Sequence, residues 1–90
     1  MPPVTIYTKA FCPYCHDAKD LLRAKKVAFD EIPVDGDRAA QTKMAQRANG
    51  RATVPQIFIG DRHVGGCDDL YALEQKGQLD VLLAGGTAAP

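Results

Sequence analysis

The sequence has no surplus of either charge, no long apolar run and only three cysteines, and each shortage removes a class of protein. Eleven lysines and arginines are balanced by eleven aspartates and glutamates. No net positive field is left to neutralise phosphates, which removes the main driving term for non-specific binding to nucleic acid or an anionic membrane. No apolar stretch approaches the roughly 18 residues of a membrane span. Met1-Pro2-Pro3-Val4 lacks the basic-then-apolar order of a secretory leader, so the cytoplasm is the expected compartment. Three is an odd number of cysteines, whereas a secreted disulfide scaffold of this size usually carries about four, six or eight. Reactivity explains the cysteines better than stapling does.

What is present is globular in kind. The 46% hydrophobic and 24% charged fractions are those of a chain with a core rather than a disordered one. A chain of 90 residues buries only roughly 60–65% of its unfolded surface and cannot divide that between two cores. One domain over residues 1–90 is therefore expected, with residues 84–90 as a flexible tail.

Val4-Thr5-Ile6-Tyr7 is β-propense and leads through Thr8-Lys9-Ala10-Phe11 into Cys12-Pro13, a strand, a loop and a helix start. Pro13 suits the first helical position, and Ala18, Leu21 and Leu22 recur on one face up to Lys25. Val27 to Val34 reads as a second strand, placed at an edge by Pro33 and stopped by Asp35-Gly36. A helix over Arg38 to Ala48 closes on Asn49-Gly50, and Pro55 opens a third strand, Gln56 to Ile59. Gly60-Asp61-Arg62 turns the chain into His63-Val64, and a Gly65-Gly66 corner follows. Asp68 and Asp69 occupy the first turn of a helix stopped near Gly77, and Leu79 to Leu83 forms a last short one. The order βαβαββαα predicts an α/β fold with a four-stranded mixed sheet flanked by helices. Its two β-α-β steps are expected to be parallel and its last two strands to form an antiparallel hairpin.

Cys12-Pro13-Tyr14-Cys15 carries the chemistry. At a strand-to-helix junction the first sulfur meets helical N–H groups and the positive end of the helix dipole, which favour thiolate. Cys15 lies one turn on, close enough to form a disulfide with Cys12 but set inside the helix, where it is placed to resolve rather than to attack. Half a zinc site is the alternative, but structural zinc takes four ligands and no second pair of that kind is present. Thr53-Val54-Pro55 stands before a strand, where a proline either starts an edge strand in trans or, in cis, leaves the preceding backbone free for an extended peptide. Gly65-Gly66-Cys67-Asp68-Asp69 opens a helix. Its N–H groups suit a carboxylate and Asp68 suits an ammonium, the two charges of an α-amino acid head, although simple capping explains the same residues. Lys9 reads alone as a solvated lysine, Cys67 as a packed residue, Tyr14 as either a contact surface or filler, and His16 and His63 as surface residues.

With Tyr7-Thr8-Lys9, Cys12-Pro13-Tyr14-Cys15, Thr53-Val54-Pro55-Gln56 and Gly65-Gly66-Cys67-Asp68-Asp69 in one order and spacing, positions 4 to 83 resemble the glutaredoxins, most closely the short dithiol bacterial type. The resemblance implies a thioredoxin-like fold with Pro55 in cis facing the Cys12 helix start. It implies glutathione as co-substrate, with no tightly bound cofactor and no metal. Lys9, Tyr14, Thr53, Val54, Pro55, Gly66, Cys67 and Asp68 then line a glutathione groove, with Gln41 and Gln56 as further candidates. Ala52 departs from the basic or polar residue that relatives often carry there. The implied partners are glutathione and disulfide-containing or glutathionylated proteins, ribonucleotide reductase among those known for the family, and the implied state is a monomer. Two other chemistries use similar residues: redoxins served by thioredoxin reductase, against which Lys9 and Asp68 speak, and iron–sulfur carriers, against which Pro13 and Cys15 speak.

Overall fold

The computed structural model describes residues 2–85. Its first strand, β1 (Val4–Thr8), runs into the loop that ends at Cys12, and the helix α1 (Pro13–Ala24) starts there with proline at its first position. Cys15, Ala18 and Leu22, spaced by three and four, are the buried stripe of α1. The helix stops because Lys26 turns left-handed, with φ of 59°. The Lys26 N–H then bonds to the Arg23 carbonyl and the Val27 N–H to the Leu22 carbonyl, which together make a Schellman close.

That close shortens the second strand. Expected over Val27 to Val34, β2 spans only Asp30–Pro33, because the Val27 N–H is committed to α1 and the chain must first travel back alongside β1. The helix α2 (Arg38–Arg47) begins where the Asp37 carboxylate accepts the Ala40 N–H at 3.0 Å, and it closes through left-handed Asn49, as the Asn49-Gly50 signal predicts. The strands β3 (Gln56–Ile59) and β4 (Arg62–Gly65) form the expected hairpin, with Arg62 paired to Ile59 and only Gly60-Asp61 left to turn. The helix α3 (Cys67–Gln75) starts one residue before Asp68, and α4 (Leu79–Leu83) follows. Beyond Gly85, the expected tail lies outside the described residues.

The sheet order is β2-β1-β3-β4, with Pro33 on an outer strand as its sequence suggests. β1 and β2 are parallel, whereas β3 is antiparallel to β1, so the second β-α-β step is not the parallel unit expected. The handedness rule governs connections between parallel strands and does not compel a helix-linked pair to be parallel. Here α2 and the segment after it carry the chain past β1 to its far side, where it enters reversed. Val4, Ile6, Ile57 and Ile59 face Ala18, Leu22, Leu70 and Leu79 on one side of the sheet. Tyr7 and Phe58 face Val34, Met44 and Ala48 on the other. Since β1 ends, β3 begins and β4 ends at the same edge, the Cys12 loop, Val54-Pro55 and the Gly65–Cys67 corner are gathered there.

Candidate active site

Cys12 is the N-cap of α1, and its sulfur accepts the Cys15 N–H at 3.1 Å. An N-cap side chain satisfies one of the helix's open donors, so the start of α1 itself holds this sulfur in place. Val54 is its second neighbour: its carbonyl oxygen is 3.9 Å from the Cys12 sulfur, and the Val54–Pro55 peptide bond is cis. The loop before Cys12 is tied down as well. The Ala10 N–H donates to both oxygens of the Asp35 carboxylate, at 3.2 and 3.1 Å, and the Val34 N–H donates to the Thr8 carbonyl.

The three cysteines are all free thiols and occupy different environments. Cys12 is part-exposed, while Cys15 and Cys67 are buried. Burial, then a hydrogen bond with Cys12, pushes the Cys15 thiol up to about 12, against the opposing pull of a Lys9 backbone N–H. Burial also pushes Cys67 up, helped by the negative charges of Asp17, Asp68 and Cys12. Exposure therefore singles out Cys12 for contact with a substrate, and burial keeps the other two protonated.

The remaining residues singled out from the sequence fall around this centre in different ways. Lys9 is half-buried on the loop, Tyr14 is 63% exposed on the first turn of α1, and Thr53 is exposed beside half-buried Val54 and buried Pro55. Gly66 caps α3 with its backbone, Cys67 is buried beneath, and Asp68 is exposed on the first turn. The Gln41 amide donates to the Ala52 carbonyl at 3.3 Å, supporting the segment that leads to Thr53.

Two supports were not read from the sequence. Gln56 is wholly buried: its amide donates to the Thr53 hydroxyl at 3.3 Å and its oxygen lies 2.7 Å from the His63 ring nitrogen. His63, read as a surface residue, thus braces the strand start from β4. Burial, with Arg51 nearby, holds its pKa below the ordinary value. The other support is Asp69, whose carboxylate accepts the Gly66 N–H at 2.8 Å and pairs with Arg51 at 3.2 Å. Burial acts to raise its pKa, but the Gly66 N–H and Arg51 outweigh it and hold the carboxyl low. An acidic residue three positions after a cap is a capping-box signal, so this contact was legible. A Cβ at Gly65 would collide with that carboxylate, and its φ of +117° is open only to glycine. The corner therefore needs glycine there.

A hollow of about 280 Å³ lined by Ala10, Phe11, Cys12, Pro13 and His16 opens at Cys12. A larger one of about 380 Å³, between Pro2, Arg62 and Leu82, lies at the opposite end of the sheet and carries no cysteine. Chemistry decides between them in favour of the first.

A part-exposed thiol at a helix N-terminus and a buried thiol one turn below it, set where β1 and β4 end and β3 begins in a four-stranded mixed sheet, define a thiol–disulfide oxidoreductase of thioredoxin-like fold. Comparison with known proteins narrows this. The family model for glutaredoxin matches residues 4–64. Glutaredoxin 3 of Escherichia coli K12 is 59% identical over 83 residues, covering 92% of this chain and 99% of that one. A glutaredoxin of Pseudomonas aeruginosa is 58% identical over 84 residues, covering 93% and 99% respectively. Among solved structures, the solution structure of glutaredoxin from Brucella melitensis matches with a TM-score of 0.82 and 51% identity, covering 97% of this chain and 95% of that one. The crystal structure of a buckwheat glutaredoxin–glutathione complex matches with a TM-score of 0.84 and 31% identity, covering 93% and 78%. The chain belongs to the glutaredoxin family, the glutathione-dependent thiol–disulfide oxidoreductases.

Proposed function

We propose that Cys12 is the attacking sulfur, that Cys15 resolves, and that glutathione lies in the groove between the Lys9–Tyr14 side and the Gly66–Asp68 side. The observation that carries this is the position of the Cys12 sulfur, bonded to the Cys15 N–H and facing the Val54 carbonyl across the groove. The backbone of Val54, before Pro55, is the surface on which the cysteine of glutathione pairs in β fashion. Lys9 receives the carboxylate at its glycine end. The γ-glutamyl head meets the Cys67 N–H with its carboxylate and Asp68 with its ammonium. Thr53, held by Gln56, fixes the strand start, and Tyr14 covers the sulfur from the helix side.

In deglutathionylation, the Cys12 sulfur forms a bond to the glutathione sulfur as the protein–glutathione S–S bond breaks, and the protein leaves as a thiolate that is then protonated. A second glutathione restores Cys12 and departs as glutathione disulfide. With a protein disulfide, Cys12 displaces one target thiolate to form a mixed disulfide. Cys15 attacks it and releases the second target thiolate as the Cys12–Cys15 bond forms, and two glutathiones reduce that bond and leave as glutathione disulfide. Part of what keeps the Cys15 thiol protonated is its hydrogen bond with Cys12 and the charge there, and both vanish once Cys12 is in a disulfide. Cys15 is thus easier to deprotonate at the step that needs it.

The working unit is the single chain, because every residue invoked lies on it. The cytoplasm, where glutathione is kept reduced, is the compartment in which the cycle runs forward. Disulfide-forming reductases such as ribonucleotide reductase are the protein targets that this chemistry suits.

The test is turnover of a glutathione mixed disulfide with glutathione, glutathione reductase and NADPH. Cys12→Ser is expected to abolish turnover and Cys15→Ser to retain it, while Asp68→Ala raises the glutathione KM by about tenfold, the value of one charge-assisted contact. Loss of all turnover in Cys15→Ser would overturn the division of labour between the two sulfurs.

A further inference from the structure

Phe11 is 99% exposed. It precedes the N-cap, a position whose apolar side chain commonly packs onto the fourth residue of the helix. That residue here is exposed His16, so no apolar partner meets the ring. A phenyl group wholly in water adds nothing to the core and gains from being covered. Nor does it sit on a loose loop: the Asp35 carboxylate holds the Ala10 N–H on one side, and the cap of α1 holds Cys12 on the other.

Phe11 lines the hollow at the nucleophile, whereas Val54, Cys67 and Asp68 do not. Cys12 therefore has two flanks, the groove on one and a rim of Phe11, Pro13 and His16 on the other. We propose that Phe11 is a specificity-determining residue for the protein half of the mixed disulfide, its ring packing on an apolar side chain next to the target's reactive half-cystine. This rests on the reading of Cys12 as nucleophile.

The occupant follows from the chemistry. When Cys12 attacks a target cystine, a Cys12–sulfur bond forms as the target S–S bond breaks, and the released thiolate takes a proton from solvent. The other half of the target stays covalently held over Cys12 until Cys15 or glutathione displaces it. Through that interval the residues beside its half-cystine lie within reach of the rim. A rigid aromatic with two rotatable bonds covers them at low entropic cost.

The experiment uses two synthetic peptides of equal length and charge, each with one cystine, flanked by leucine in one and by serine in the other. Their reduction is followed with glutathione, glutathione reductase and NADPH. The wild type is expected to favour the leucine peptide in kcat/KM by about tenfold, mainly through KM. Phe11→Ser is expected to erase that ratio and Phe11→Leu to restore most of it. Equal ratios in wild type and Phe11→Ser overturn the proposal. So does an unchanged ratio accompanied by loss, in Phe11→Ser, of a dimer seen by sedimentation velocity, since the ring then serves a second copy of this chain. Failure of the wild type to turn over even a glutathione mixed disulfide sinks the parent reading instead, so the two failures are distinguishable.

Discussion

Sulfur accessibility divides the three cysteines. Cys12 is part-exposed at the cap of α1, Cys15 has no exposed surface, and Cys67 keeps 7%. Alkylation needs an accessible thiolate, and burial both shields a thiol and holds its proton. Brief treatment of the reduced protein with iodoacetamide at pH 7 is therefore expected to give one adduct per chain, on Cys12. Peptide mass spectrometry checks this, and modification of Cys15 or Cys67 at a comparable rate would contradict the burial described. The placing of Cys12 at a helix start and of Cys15 one turn inside it was legible from their spacing and from Pro13 alone. The support given by Gln56, a further groove candidate, was not, because a glutamine is ordinarily a surface residue and nothing in its neighbours announces that its amide is wholly buried between Thr53 and His63. His63 was missed for the same reason: its partner is seven residues away across a hairpin, and only the register of β3 on β4 brings the two together.

Among the elements, local signals were sound where both ends of an element carry their own chemistry. Pro13 and Asn49-Gly50 place helix ends because a cap is made within a few residues. The pairing of β3 was illegible, since it depends on where a whole helix carries the chain. The difference matters for function. A parallel β3 would begin at the far end of β1, about 15 Å from the Cys12 loop, and leave Val54 no route to Cys12. Antiparallel pairing of Tyr7 with Gln56 is what sets Val54-Pro55 beside it. The end of α1 supports a prediction at this scale. Lys26 occupies a left-handed conformation that glycine adopts freely and lysine does not, and it makes the Schellman bond with its backbone alone. Lys26→Gly is expected to stabilise the protein by about 0.5–1 kcal/mol, the relieved strain exceeding the added freedom of the unfolded chain. A rise of about 2–8 °C in the calorimetric midpoint is the measurement. A fall would show that the lysine side chain contributes more than its backbone costs.

For the molecule as a whole, shifted protonation on both sides of neutrality sets a stability window. His63 binds its proton less readily when folded than its ordinary 6.5. As pH falls below that value the unfolded state takes up a proton first, so stability declines. Glu31 adds to the same side: the Thr8 hydroxyl and then Lys19 hold its carboxyl below the ordinary 4.5 against the effect of burial. Asp69, held low by Gly66 and Arg51, does likewise below 3.8. These contributions are present above the unfolded values and lost as pH falls through the folded ones. The thiols act in the opposite sense. Unfolded Cys15 releases its proton near 9.0 whereas the folded thiol keeps it to about 12, so stability falls as pH rises across that interval, and Cys67 adds to the fall. Under a thiol reductant, the urea midpoint is expected to be level between about pH 6.5 and 9 and to drop on either side. His63→Asn is expected to extend the level region downward into the carboxylate range, and Cys15→Ala to make the alkaline decline shallower. A midpoint that rises above pH 9 in the wild type would mean that the sulfur below Cys12 meets water, and would remove the support that burial gives to the resolving role proposed for Cys15.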